Sequence, residues 1–162
     1  MVTPLRLAFI CTGNICRSPM AEVYAMAYGA RRGWPVEARS GGVLGIMGKP
    51  ADPLAVRVMN EIDIDLSGHR SGDVNAEMMD WAQYVLVMEL HHASKLRERF
   101  PESEDKIMVL ANFGGFMEIK DPIGGWRWKF RRCRDELKRC IESFMDGLPS
   151  PLVSADPSSG LE

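Results

Sequence analysis

Short apolar runs alternate along the chain with longer stretches whose apolar residues recur about every three to four positions. Leu5 to Cys11, rich in Leu, Phe and Ile, predicts a strand, and a Gly/Asn turn follows at Thr12 to Ile15. Ser18-Pro19 marks a helix start, with Ser18 as N-cap and Pro19 at the first helical position. That helix continues through Met20 to Arg32 and stops at Gly33. Val36 to Ser40 reads as a second strand, closed by Gly41-Gly42. Leu54 to Ile62 predicts a helix, and a further short helix fits after Asn75. Tyr84 to Met88 is a third strand and Lys106 to Leu110 a fourth, with a helix between them from His91 to Phe100 that Pro101 closes. Asn112 to Trp126 is a glycine-rich loop. Arg127 to Gly147 is a long helix carrying Phe130, Cys133, Leu137, Cys140, Ile141 and Phe144 on one side.

Strands alternating with helices predict a single three-layer α/β domain, a four-stranded parallel sheet with helices on both faces. It is expected over residues 1–148, with a disordered Pro/Ser-rich tail over 149–162. The length of 162 residues suits one domain. A formal net charge of -2 gives no global nucleic-acid or membrane footprint, so an anionic substrate needs a local positive site. No apolar run approaches the roughly 18 residues that span a bilayer, and the start of the chain lacks signal-peptide character. A cytoplasmic location is therefore expected, with the four cysteines as thiols.

The run Cys11-Thr12-Gly13-Asn14-Ile15-Cys16-Arg17-Ser18-Pro19 joins a strand to a helix. Successive N–H groups in such a turn converge as an anion nest, and the helix adds its own free N–H groups and the positive end of its dipole. Gly13 lets the backbone bend, and Asn14 tolerates a left-handed conformation. Cys11 at the lip is favoured as thiolate by the dipole and by Arg17, whose planar fork suits two phosphate oxygens. Ser18 has a hydroxyl to offer the sulfur. Cys133 and Arg139 share the bare Cys-x5-Arg spacing, but in a helical pattern without glycine, so Cys133 reads as a small core residue.

The run resembles the signature of the low-molecular-weight protein tyrosine phosphatase family at every fixed position. Ser40-Gly41-Gly42, Asp65 to Arg70, Tyr84 to Met88 and Asp121-Pro122 are similar to further segments of that family. The resemblance implies a cysteine-dependent, metal-free phosphatase acting on a phosphorylated protein without a cofactor. It implies Cys11 as nucleophile, Arg17 and residues Thr12 to Ser18 as the phosphate cradle, and Asp121 as general acid. It also implies His69 as a support acting through Asn14. Asp-Pro alone is a common turn, present too at Asp52-Pro53 and Asp156-Pro157; the loop upstream favours Asp121.

Cys16 is either a packing residue or a redox partner that shields Cys11 as a disulfide. His91-His92 reads as a helix-start surface feature without metal-ligand partners at useful spacing. Glu89 stands at a supporting position where the family often carries Asp. Trp34 and Trp81 are expected to pack, and Trp126 and Trp128 to line the cleft. The basic run from Arg127 to Arg134 reads as a solvated face. Ile123-Gly124-Gly125 after Asp-Pro resembles the protein arginine phosphatase branch. Ile15, where that branch has Thr, favours an aromatic ring; phosphotyrosine is thus the first expectation and phosphoarginine the alternative. Arsenate reduction needs resolving cysteines on a mobile segment, and the middle of the chain has none. A binding module without turnover would not need both Cys11 and Asp121.

Overall fold

The computed structural model describes residues 3–149. The chain runs β1 (Leu5–Cys11), α1 (Arg17–Arg31), β2 (Val36–Gly42), α2 (Pro53–Asn60), α3 (Ala76–Trp81), β3 (Tyr84–Val87), α4 (Leu90–Arg99), β4 (Ile107–Val109) and α5 (Arg127–Asp146). All neighbouring strands are parallel, in the order β2-β1-β3-β4. This is the four-stranded parallel sheet that the alternating pattern predicts. The expected tail beyond Pro149 lies outside the described residues.

The pleat of β1 divides the core. Leu7 and Phe9 face one layer with Met20, Tyr24, Phe130 and Leu137 from α1 and α5. Ala8 and Ile10 face the other, with Val74, Met79, Ala93 and Leu96 around α3 and α4. Both faces are covered, so β1 is apolar throughout except Arg6. At Leu66 and at Phe144 burial is nearly complete, and α5 buries the face that its spacing foretold. Cys133 and Cys140 lie on that face as core residues.

Element ends differ from expectation in instructive places. The helix α1 begins at Arg17, with Cys16 at the cap position and no side-chain cap bond. Ser18 is therefore not the N-cap; its hydroxyl turns into the loop instead. Pro19 still falls in the first turn, where an N–H would have no helical partner. The fourth strand is shorter than expected, because Leu110–Gly114 tightens into a 3-10 turn. The basic start of α5 is only partly a solvated face: Arg131 and Arg134 clamp Glu61 at the end of α2.

After β1 the chain builds β2 on one side, then crosses to β3 on the other. That reversal opens a crevice beyond the carboxyl ends of β1 and β3, where α/β sheets place ligands. The β2 end supports it closely. A methyl group on Gly42 would stand 2.8 Å from the Thr12 carbonyl oxygen and 3.1 Å from the Gly13 carbonyl carbon. Gly42→Ala is expected to displace the turn after β1 and cost about 1–3 kcal/mol, read as a lowered urea midpoint.

Candidate active site

Cys11 ends β1 with its sulfur buried at the mouth of the turn. The Asn14 backbone N–H donates to Cys11 Sγ at 3.3 Å. Ser18 Oγ lies 2.9 Å from the same sulfur and accepts from Asn14 Nδ2 at 2.8 Å. The hydroxyl hydrogen is thus free to point at sulfur, so Ser18 is a second donor when Cys11 is a thiolate. Among the described residues, the N–H groups of Gly13, Ile15, Cys16, Arg17 and Ser18 make no hydrogen bond. Such a ring of free amides at a helix start is a ready anion cradle.

Asn14 holds the turn together. It is fully buried with φ of 58°, the left-handed conformation its residue type tolerates. Its Nδ2 also donates to Ser40 Oγ at 2.9 Å, and its Oδ1 accepts from the Gly72 N–H at 3.0 Å. His69 Nε2 donates to the Asn14 carbonyl at 2.7 Å. The structure therefore brings His69 to Asn14. Burial keeps the His69 pKa below its ordinary value, with Arg70 adding to the depression.

Arg17 is 1% exposed. Its Nη1 donates to Glu89 Oε2 and to the Ile119 carbonyl, both at 2.8 Å. Its Nη2 lies 3.3 Å from Thr12 Oγ1 and 3.5 Å from Asp121 Oδ2. Its Nε is buried with no acceptor among the described residues. Burial alone would lower the guanidinium pKa, but Glu89 and the neighbouring anions outweigh it. Conversely, burial pushes Glu89 up and Arg17 pulls it lower overall.

Asp121 is held near this cation by a backbone tie to the residue that follows β3. Ile119 is fully buried, and its N–H donates to the Met88 carbonyl after β3 at 3.0 Å. Two residues on, Asp121 Oδ1 accepts from the Ile123 N–H at 3.1 Å, leaving Oδ2 toward Arg17. A cavity of about 680 Å³ opens beside it, lined by Phe116, Met117, Trp128 and Cys133 among others. Trp128 lines that cavity and Trp126 does not, and none of Cys11 to Ser18 is among its lining residues. Cys16 is buried, and burial, then Asp52, raises its thiol pKa.

The sequence matches the family model described as "Low molecular weight phosphotyrosine protein phosphatase" over residues 6–152. The chain belongs to the low-molecular-weight protein tyrosine phosphatase family. It is 40% identical to a protein-arginine-phosphatase of Geobacillus stearothermophilus over 148 residues, 90% of this chain and 97% of that protein. It is 31% identical to the low molecular weight protein-tyrosine-phosphatase Wzb of Escherichia coli K12, covering 89% of this chain and 95% of Wzb. A solved low molecular weight protein tyrosine phosphatase from T. tengcongensis superposes with a TM-score of 0.85 at 36% identity, covering 89% and 99% of the two chains.

Within this phosphatase family frame, three contacts escaped the sequence reading. Glu89 reaches Arg17 across the loop. Ser40 braces Asn14. His92 is not a surface residue: it is fully buried, and its Nε2 lies 2.9 Å from Thr12 Oγ1. The spacing of His92 and Ala93 to Leu96 was the available signal, since it places both on the buried stripe of α4. The pair also has an acidic neighbour, because ligand atoms of Glu89, His91 and His92 lie within 4.8 Å of one another. Glu89 is already committed to Arg17 and His92 to Thr12, and among the described residues His91 hydrogen-bonds only Glu89.

Burial, reinforced by His91 and Arg17, pushes the His92 pKa down to about 4 from an ordinary 6.5. The unfolded chain then binds more protons as pH falls below 6.5, so His92 stabilisation is lost between pH 6.5 and about 4. His69 acts with the same sign. Glu22, which burial pushes up to about 7 against a lowering contact with Ser40, acts with the opposite sign. Comparing wild type with His92→Asn isolates one group. Urea unfolding across that window should show the wild-type stability falling more steeply, by up to about 1.4 kcal/mol per pH unit.

Proposed function

We propose that the protein is a cytoplasmic phosphatase that hydrolyses phosphotyrosine in proteins through a phosphocysteine at Cys11. The observation that carries this reading is the convergence at Cys11. The Asn14 N–H and the Ser18 hydroxyl meet at its sulfur, free amides ring it, and a buried Arg17 has an unused Nε. A phosphoryl group seated there has its equatorial oxygens facing amides and guanidinium, where transition-state charge collects.

In the first step Cys11 sulfur bonds to phosphorus as the phosphorus–oxygen bond to the substrate breaks. Asp121 delivers its proton to the departing oxygen. In the second step a water oxygen attacks phosphorus, the phosphorus–sulfur bond breaks, and Asp121 takes the water proton. Ser18 hydrogen-bonds the sulfur as it leaves. No step uses a metal. In this reading residues Thr12 to Ser18 bind the phosphoryl oxygens, while Asn14 and His69 keep the turn in shape.

Ile15, half-buried at the loop rim, favours an apolar aromatic ring. A phosphoarginine substrate is the second reading. It is supported by the 40% identity to a protein-arginine-phosphatase and by Ile123-Gly124-Gly125, which puts no aromatic side chain after Asp121-Pro122. Cys16, next to Arg17 and buried in the same turn, is proposed as a reserve partner for Cys11 under oxidation. Cys16→Ser should then make peroxide inactivation irreversible by thiol while leaving its onset unchanged.

Peptides bearing phosphotyrosine, phosphoserine and phosphoarginine test the assignment. Phosphotyrosine should be cleaved fastest. Cys11→Ser should bind phosphopeptide without turnover, and Asp121→Asn should lower kcat by about 10²–10⁴-fold. Ile15→Thr should move the activity ratio toward phosphoarginine. Turnover by Cys11→Ser at the wild-type rate would sink the mechanism, and an unchanged ratio in Ile15→Thr would remove the case built on that residue.

A further inference from the structure

Four hydrogen bonds close a ring behind the phosphate loop. Arg17 Nη1 donates to Glu89 Oε2, and Arg17 Nη2 to Thr12 Oγ1. Thr12 Oγ1 lies 2.9 Å from His92 Nε2, and the Glu89 backbone N–H donates to His92 Nδ1 at 3.1 Å. His92 is the least exposed member, at 0%.

The protons of this ring can be counted. A backbone N–H only donates, so His92 Nδ1 is an acceptor. The ring is neutral near pH 7, since its pKa is pushed down to about 4 by burial, His91 and Arg17. Its single N–H therefore sits on Nε2 and donates to Thr12 Oγ1. The Thr12 oxygen then accepts from both His92 and Arg17, which uses its two lone pairs. It is held as an acceptor for Nη2. With Nη1 committed to Glu89 and to the Ile119 carbonyl, and Nη2 facing Thr12 and Asp121, the guanidinium keeps Nε as the donor without an acceptor among the described residues.

We propose that His92 is a positioning residue: its donation to Thr12 sets the rotation of Arg17 that presents the Nε edge to the phosphoryl oxygens. This rests on the phosphatase reading above. It is separate from the role of His92 at the start of α4, where Nδ1 accepts the Glu89 N–H. One nitrogen serves the helix end, and the other serves the loop.

The two roles can be separated by substitution. Asn keeps an acceptor where Nδ1 stands and loses the reach to Thr12. Gln places an amide N–H near Nε2 and loses the helix contact. For wild type, His92→Asn, His92→Gln, Thr12→Val and His92→Asn/Thr12→Val, the readouts are kcat/KM on an aryl phosphate, orthovanadate affinity and Tm. His92→Asn should lose about tenfold in kcat/KM and orthovanadate affinity with Tm nearly kept. His92→Gln should keep both within about threefold while its Tm falls. In the Thr12→Val background, His92→Asn should add less than about twofold. Losses that multiply in the double variant overturn the proposal, as do activity losses that follow Tm across the two His92 variants. If wild type binds orthovanadate yet hydrolyses no aryl phosphate, the phosphatase reading fails, and the orthovanadate affinities alone decide whether His92 orients Arg17.

Discussion

A guanidinium buried to 1% exposure is the constraint around which this molecule is arranged. An unpaired buried charge costs several kcal/mol, so Arg17 needs acceptors from elements far apart in sequence. Glu89 comes from the end of β3, the Ile119 carbonyl from the segment before Asp121, and Thr12 from the turn after β1. Each contact draws one element toward the same point, so this one buried charge organises the walls of the site. The pairing is asymmetric: Nη1 is fully used, while Nε is left for an anion. Stability and ligand readiness thus reside in different edges of one planar group.

The local parts of this design were legible from the residues. Cys11 to Pro19 is contiguous, and the backbone freedom of Gly13 and Asn14 can be read from residue type alone. The strands and helices followed from apolar spacing, because a sheet covered on both faces needs continuous apolar runs. What was not legible lies at long range. Nothing local to Glu89 or His92 says that the end of β3 meets the turn after β1. His92 in particular looked like half of a polar pair, and its burial depends on how α4 leans on the sheet.

Ser18 shows how a correct motif can carry an incorrect local role. Ser before Pro is a good helix-cap pattern, yet the hydroxyl is taken by Cys11 and Asn14. The cap position goes to Cys16, whose side chain makes no cap bond. The result leaves the first amides of α1 free for an anion. Local helix stability is weakened where the function needs open donors, which is where departures from propensity rules are expected.

Ile119 ties the chain down two residues before Asp121, with its N–H on the Met88 carbonyl and its own carbonyl on Arg17. The carboxylate consequently hangs on a very short tether from the sheet. Lengthening or grafting the stretch that carries it would pull on the guanidinium as well. Single side-chain exchanges at Ile123 or Trp128, by contrast, fall beyond that tether and leave both of its hydrogen bonds in place.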